Sequence, residues 1–132
     1  MGKLRPTVDD ICVAAGVKSM PIATTAVVYT NAVRLSGEYF SLSYKAGSSG
    51  VIALKIELEQ AVVAPTTENA ADTNYVVAED AQDIESALAD EVWHHKRIGP
   101  ITLPWARLKI TGGATNDAST VLQAKLTSQQ EI

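Results

Sequence analysis

Ten residues, Val51 to Gln60 (VIALKIELEQ), alternate between apolar and charged side chains over most of their length. Ile52, Leu54, Ile56 and Leu58 fall on one side of an extended backbone, and Lys55, Glu57 and Glu59 on the other. Wound into a helix, the same residues would spread carboxylates and isoleucines around the whole surface. Successive side chains of a strand point to opposite faces, so a period of two specifies a strand with one buried face and one wet face. Such a strand needs partners in its own sheet and a second layer over its apolar face.

The pattern recurs. In EYFSLSYKA (Glu38–Ala46), Phe40, Leu42 and Tyr44 oppose Ser41, Ser43 and Lys45, and GSSG (Gly47–Gly50) leads into the first run. Two alternating runs joined by a short Gly/Ser turn predict an antiparallel hairpin over Glu38–Gln60. WARLKITG sets Ala106, Leu108 and Ile110 against Arg107, Lys109 and Thr111; after GGATNDAS, TVLQAKLTSQ sets Leu122, Ala124 and Leu126 against Gln123, Lys125 and Thr127. This predicts a second hairpin. TTAVVYT, YVVAE and EVWHHKRIG are shorter strand candidates. Only DAQDIESALAD (Asp80–Asp90) carries a helical spacing, at Ile84, Ala87 and Leu88, enough for one or two turns.

The expected architecture is an all-β, two-sheet antiparallel β-sandwich of jelly-roll or Greek-key type. Its core should hold Leu42, Ile52, Leu54, Ile56, Leu108, Ile110, Leu122 and Leu126. Val62–Asn74 reads as the longest connection, and Pro100 and Pro104, which cannot donate to a ladder, mark an edge or a crossover between sheets. Residues 1–24 have no clean period and are broken by Pro6 and Pro21. They are expected to form an extended N-terminal arm, on the outside of the sandwich or on another subunit, with the sandwich domain spanning 25–132.

At 132 residues the chain is of single-domain size, and 46% hydrophobic with 20% charged is an ordinary globular balance. No apolar run reaches the roughly 18 residues of a membrane helix. MGKLRPTVDD lacks the apolar stretch of a secretory signal, and Pro6 counts against myristoylation. The net charge of −4 is uneven: residues 56–95 hold ten Asp/Glu and no Lys/Arg, while each flank nets +3. Basic residues are scattered, which argues against a nucleic-acid partner. The acidic block suits either solvated loops or docking onto a basic surface, including a neighbouring copy.

Few residues are candidates for chemistry. His94 and His95, the only histidines, are adjacent, so on a strand they face opposite ways and cannot chelate one metal. Trp93 should share a face with His95, and Val92 with His94. Cys12, the only cysteine, lies in the apolar run ICVAAGV and reads as a small buried hydrophobe; alone it can form neither an intrachain disulfide nor a cysteine-rich zinc site. Asn116 and Asp117, behind Gly112 and Gly113, offer one carboxylate where calcium gathers several oxygens, so a turn is expected. No nucleophile elbow and no phosphate-cradling glycine loop is present. The carboxylates from Glu79 to Glu91 read as a surface segment. The reading is of a non-enzymatic chain without cofactor, metal or catalytic residues.

SGEYFSLSYKAGSSGVIALKIELEQ, DTNYVV, DEVWHHKRIGPITLPWARLKITG and the closing TVLQAKLTSQQ, taken in order over Leu35–Gln129, resemble small virion structural proteins of tailed bacteriophages. The resemblance implies a β-sandwich body and a role as a capsid decoration (cement) protein or another repeated component of the virion. It implies a homo-oligomer, with a trimer expected, attached to the major capsid protein or other virion proteins and assembled in the bacterial host cytoplasm. A carbohydrate-binding β-sandwich module of a tail or baseplate is the alternative. Trp93, Trp105, Tyr39 and Tyr75 are its candidate contacts, drawn from only seven aromatic residues.

Overall fold

Apolar and polar residues sort to opposite sides of the long strands, as the alternation requires, yet Tyr39–Gly47 does not pair with Ile52–Ala61, nor Trp105–Gly112 with Val121–Glu131. The computed structural model describes residues 4–12, 19–23, 27–34, 39–47, 52–77, 84–88, 92–97, 103–116 and 119–131. Every regular element among them is a strand: β1 (Leu4–Asp10), β2 (Met20–Pro21), β3 (Val27–Tyr29), β4 (Val33–Arg34), β5 (Tyr39–Gly47), β6 (Ile52–Ala61), β7 (Val76–Val77), β8 (Ile84–Leu88), β9 (His94–Arg97), β10 (Trp105–Gly112) and β11 (Val121–Glu131).

They form two antiparallel sheets. The first runs β1-β11-β5-β9, with β2 beside the other end of β11. The second runs β3-β10-β6-β7, with β4 on the same edge of β10 as β3 and β8 on the same edge of β6 as β7. Each sheet thus has two long central strands and edges assembled from short pieces. Short edges offer little unpaired backbone to a foreign strand.

Both expected hairpins are corrected by this pairing. β5 lies in the first sheet and β6 in the second, so the chain changes sheets between Gly47 and Ile52 instead of turning back within one. β10 and β11 are separated in the same way. The pairs that form are β5 with β11, Leu42 opposite Leu126, and β6 with β10, Leu58 opposite Leu108. The two pairings bring four amphipathic strands together with their apolar faces inward. Leu42, Tyr44, Ala46, Leu122, Ala124 and Leu126 of the first sheet meet Leu54, Ile56, Leu58, Ala106, Leu108 and Ile110 of the second in one buried cluster. Seven of the eight expected core residues belong to it; the side chain of the eighth, Ile52, lies outside the described set.

Two more expectations change. Leu4–Asp10 is not part of an outlying arm but an edge strand along β11, Leu4 opposite Glu131 and Asp10 opposite Lys125. Met20 and Ile22 follow along β11, and Ile11, Cys12, Met20 and Ile22 are buried in the core. Pro6 is tolerated because one side of an edge strand needs no donor. The helix expected within Asp80–Asp90 is replaced, over Ile84–Leu88, by β8, with Ile84 opposite Ile56. A five-residue segment has too little helix propensity to resist an open strand edge beside it.

The proline-flanked stretch after β9 does cross between sheets: the chain leaves the first at Arg97 and enters the second at Trp105. At the far end of β10, the Gly112–Asn116 corner pins the layers. Asn116 Nδ2 donates to the Ile22 carbonyl (3.1 Å), and Asn116 Oδ1 accepts from the Ala53 amide (2.8 Å). The Gly113 amide donates to the Ala53 carbonyl at 2.9 Å, an approach so close that a Cβ on Gly113 would come within 2.6 Å of the Ala53 Cβ. Asn116 is therefore a buried structural staple in a turn; Asp117 lies outside the described residues.

Candidate functional site

Two places gather polar and aromatic side chains. The first is the outer face of the second sheet, where Val62–Tyr75 folds back as a roof. Alternation places Arg107 on this outer face, opposite Glu59, and the sequence marks it as a wet position. It is instead 1% exposed. Its Nε donates to Glu59 Oε1 at 2.9 Å, and its Nη1 donates to the Ala70 carbonyl in the roof at 2.7 Å. The guanidinium lies 4.5 Å from the Tyr29 ring centroid and 4.4 Å from that of Tyr75. Arginine suits this sandwich because its flat, weakly hydrated cation stacks on aromatic faces while its edge forks to a carboxylate. Nη2 is buried with no hydrogen-bond partner.

The roof is ordered by its own polar residues. Asp72 Oδ2 accepts from the Thr66 amide (3.1 Å), and Oδ1 accepts from the Asn74 amide (2.9 Å). These two bonds hold the Asp72 carboxyl below its usual range, with the Arg107 charge helping. Asn69 has φ of 60°, a left-handed conformation that asparagine tolerates. From there its Nδ2 donates to the Tyr29 carbonyl (3.0 Å) and to Asn31 Oδ1 (2.8 Å). The Ala32 amide donates to Glu68 Oε2 (3.2 Å), and the Tyr75 hydroxyl donates to the Val63 carbonyl (3.0 Å). Burial pushes the Tyr75 phenol up, against the pull of the Arg107 cation.

The second place is the β9 edge of the first sheet. His94 and His95 face opposite ways. His94 lies opposite Tyr44 and stacks on its ring, centroids 5.3 Å apart, with Nε2 buried and unpartnered. His95 is exposed on the outer face, its Nδ1 2.7 Å from Ser43 Oγ and its ring parallel to Trp93 at 6.4 Å. Lys45 Nζ sits 5.2 Å from the Trp93 centroid. The register continues the row from His95 through Ser43 and Lys125 to Asp10, where Lys125 Nζ is 3.6 Å from the carboxylate.

The four aromatic residues proposed as sugar contacts do not share a face. Trp93 is at the β9 edge of the first sheet and Trp105 begins β10 in the second. Tyr75 is buried against Arg107, and the side chain of Tyr39 lies outside the described set. Cys12 is buried in the core, and burial raises its thiol to about 12, with a backbone hydrogen bond at Ala124 pulling the other way, so the thiolate nucleophile does not form near neutrality. Among the described residues no three His, Cys, Asp or Glu side chains gather as a metal site, and no helix is long and apolar enough to cross a membrane.

Part of the acidic stretch meets cations across the sheet. Glu57 and Glu59 of the acidic stretch lie opposite Lys109 and Arg107, and Glu85 lies opposite Lys55, all within the second sheet. Sequence reasoning missed the Arg107 clamp because the partner strand was misassigned. With β6 beside β10, the Arg107–Glu59 pair would have stood out, and Tyr75 behind a loop rich in Asn and Asp is a second signal. No protein-family model, curated protein or solved structure matches the chain.

Proposed function

We propose that the chain is a non-enzymatic structural component of a tailed-phage virion, a capsid decoration (cement) protein that acts in many copies through contacts between folded β-sandwiches. The strand order carries this reading. Counting the split edges as single positions, the first sheet runs one, eight, three, six and the second runs two, seven, four, five. That order supports reading the two sheets as an eight-position jelly roll, an architecture used by viral capsid proteins and lectins. Fold alone does not assign function. The disposition of polar groups adds support: Arg107, Asn116 and Asp72 each hydrogen-bond backbone groups, and Glu59 holds Arg107 in place. The resemblance in strand sequence over Leu35–Gln129 points the same way. The sugar-binding alternative loses ground because its aromatic residues are dispersed.

Quantitative mass spectrometry of density-banded particles should find the chain in a fixed ratio to the major shell protein. Particles that lack it, together with binding of the pure protein on a glycan array, would overturn the structural role in favour of sugar recognition.

A further inference from the structure

Among the described residues β1 is the longest edge strand, and no described element lies beyond it in the first sheet. Val8, on this strand, is 56% exposed. A free edge presents a row of backbone donors and acceptors to any second chain. One hydrogen bond shows which residues supply that row. The Ile11 amide donates to the Ala124 carbonyl at 3.1 Å, one step past the Asp10–Lys125 pair. In an antiparallel ladder, hydrogen-bonded positions alternate with positions that are not. Counting back from Ile11, the backbone groups of Asp9, Thr7 and Arg5 turn toward Leu126, Ser128 and Gln130 of β11. Those of Asp10, Val8, Pro6 and Leu4 turn outward, away from the sheet.

Pro6 therefore stands in the outward row, where an added strand requires an N–H. A proline nitrogen carries a ring carbon in place of that hydrogen, so it offers a partner no donor. For a new ladder to form, outward residues must meet outward residues. With two copies antiparallel and fully overlapped, Leu4 meets Asp10 and Pro6 meets Val8, so the bonds lost are the central ones. Shifted registers set Pro6 against Pro6, Asp10 or Leu4. Only overlaps confined to one end of the strand avoid it. The remaining edges are shorter: β8 has five residues, β9 four, β3 three and β7 two. The same alternation explains why proline is tolerated at position 6. At Arg5 or Thr7 it would delete a bond to β11; at 6 it costs the fold nothing.

We infer that Pro6 blocks a latent interface: it stops two copies of this chain from joining their first sheets edge to edge along β1, and a second copy adds there once residue 6 carries an N–H. The latent contact is two-fold, β1 of one copy against β1 of the other, so each chain gains one neighbour through it and the edge is then used up. The block belongs to the folded chain itself and holds whatever particle the chain serves. Wild-type copies then meet through side chains and not through a shared ladder. A chain used in many copies at high local concentration needs such a block, because an open edge pairs with any strand that reaches it.

Sedimentation velocity and amide exchange on the full chain test this, with protein up to about 0.1 mM to reach weak contacts. Pro6→Thr should sediment at no less than twice the wild-type mass. Its Val8 amide should gain protection as concentration rises, while the Val8 amide of the wild type exchanges quickly at every concentration. Pro6→Thr combined with Val8→Pro moves the proline to the next outward position and should return to the wild-type mass. The outward assignment has its own check: Val8→Pro alone should melt near wild type, and Asp9→Pro well below it, because only Asp9 donates to β11. Circular dichroism confirms that each associating variant is folded, and Pro6→Val replaces Pro6→Thr if that chain melts early. The block is overturned by a Pro6→Thr chain of wild-type mass at the highest concentration, by association that leaves Val8 unprotected, or by a wild type whose Val8 becomes protected on self-association. A double variant that still associates, or an Asp9→Pro chain that melts like wild type, overturns it equally.

Discussion

The two outer faces of the sandwich follow the same sequence rule and end in different environments. On the first sheet, Ser41, Ser43, Lys45, Gln123, Lys125 and Thr127 stand on the outer face, half-buried by one another at most. On the second, Arg107 and Glu59 occupy equivalent outward positions and are sealed under Val62–Tyr75. Alternation says which side of a strand faces the core. It does not say whether the other side meets water or a folded loop. The two ion pairs show the consequence: Lys125–Asp10 spans 3.6 Å with the lysine side chain 43% exposed, and Arg107–Glu59 spans 2.9 Å with both side chains nearly inaccessible.

The largest test of that contrast is to delete one cation from each face. Removing one partner of a buried pair leaves the other charge desolvated, so Arg107→Ala should cost about 3–5 kcal/mol. Lys125→Ala should cost about 0–1 kcal/mol, since exposed pairs contribute little. Urea denaturation of the two variants measures both. Equal losses would mean that the roof does not exclude water from Glu59. Replacing the pair together, Arg107→Met with Glu59→Leu, should restore much of the stability, because hydrophobic substitutes avoid the desolvation cost.

A smaller test separates the ring of Tyr75 from its hydroxyl. Tyr75→Phe keeps the aromatic face over Arg107 and removes the donor to Val63. The expected loss is about 0.5–1.5 kcal/mol, the usual net value of one hydrogen bond. Amide exchange should quicken within residues 62–75 and stay unchanged in β5 and β11. Faster exchange across both sheets would show that the roof and the body form one cooperative unit.

The same contrast separates what was legible in the sequence from what was not. The period of two placed Leu42, Leu54, Ile56, Leu108, Ile110, Leu122 and Leu126 inside, and they are inside. It could not tell a turn within a sheet from a crossing between sheets, because a strand followed by its mirror pattern is apolar inward in either case. Both hairpins were misassigned for that reason, and the Arg107–Glu59 pairing was lost with them. Leu4–Asp10 was illegible because an edge strand with only part of its surface covered has no need of strict alternation. Ile84–Leu88 shows a nearby strand edge overriding a helical spacing. At the candidate sites, adjacency of His94 and His95 sufficed to predict their divergence. The use of Tyr75 as a lid over a cation depended on a loop conformation that composition alone does not specify.

The finest test concerns how the roof is ordered from within. Asp72 is at the surface, and its carboxylate accepts the Thr66 and Asn74 amides, which hold it below the ordinary 3.8. A carboxyl depressed in the folded state stabilises the fold above its unfolded value, and that contribution is lost as the pH falls through the lower folded value. The window therefore opens below pH 3.8 and lies on the acid side. In an NMR titration the Thr66 and Asn74 amide shifts should move together with one midpoint below 3.8, and Asp72→Asn should flatten both curves. Amides of the Asn116 corner, whose staple is an uncharged side chain, should not follow that midpoint. If Thr66 and Asn74 titrated separately, or at the ordinary carboxylate value, Asp72 would not be the bracket that closes the roof, and the ordering of residues 62–75 would fall to Asn69 and the Arg107 clamp alone.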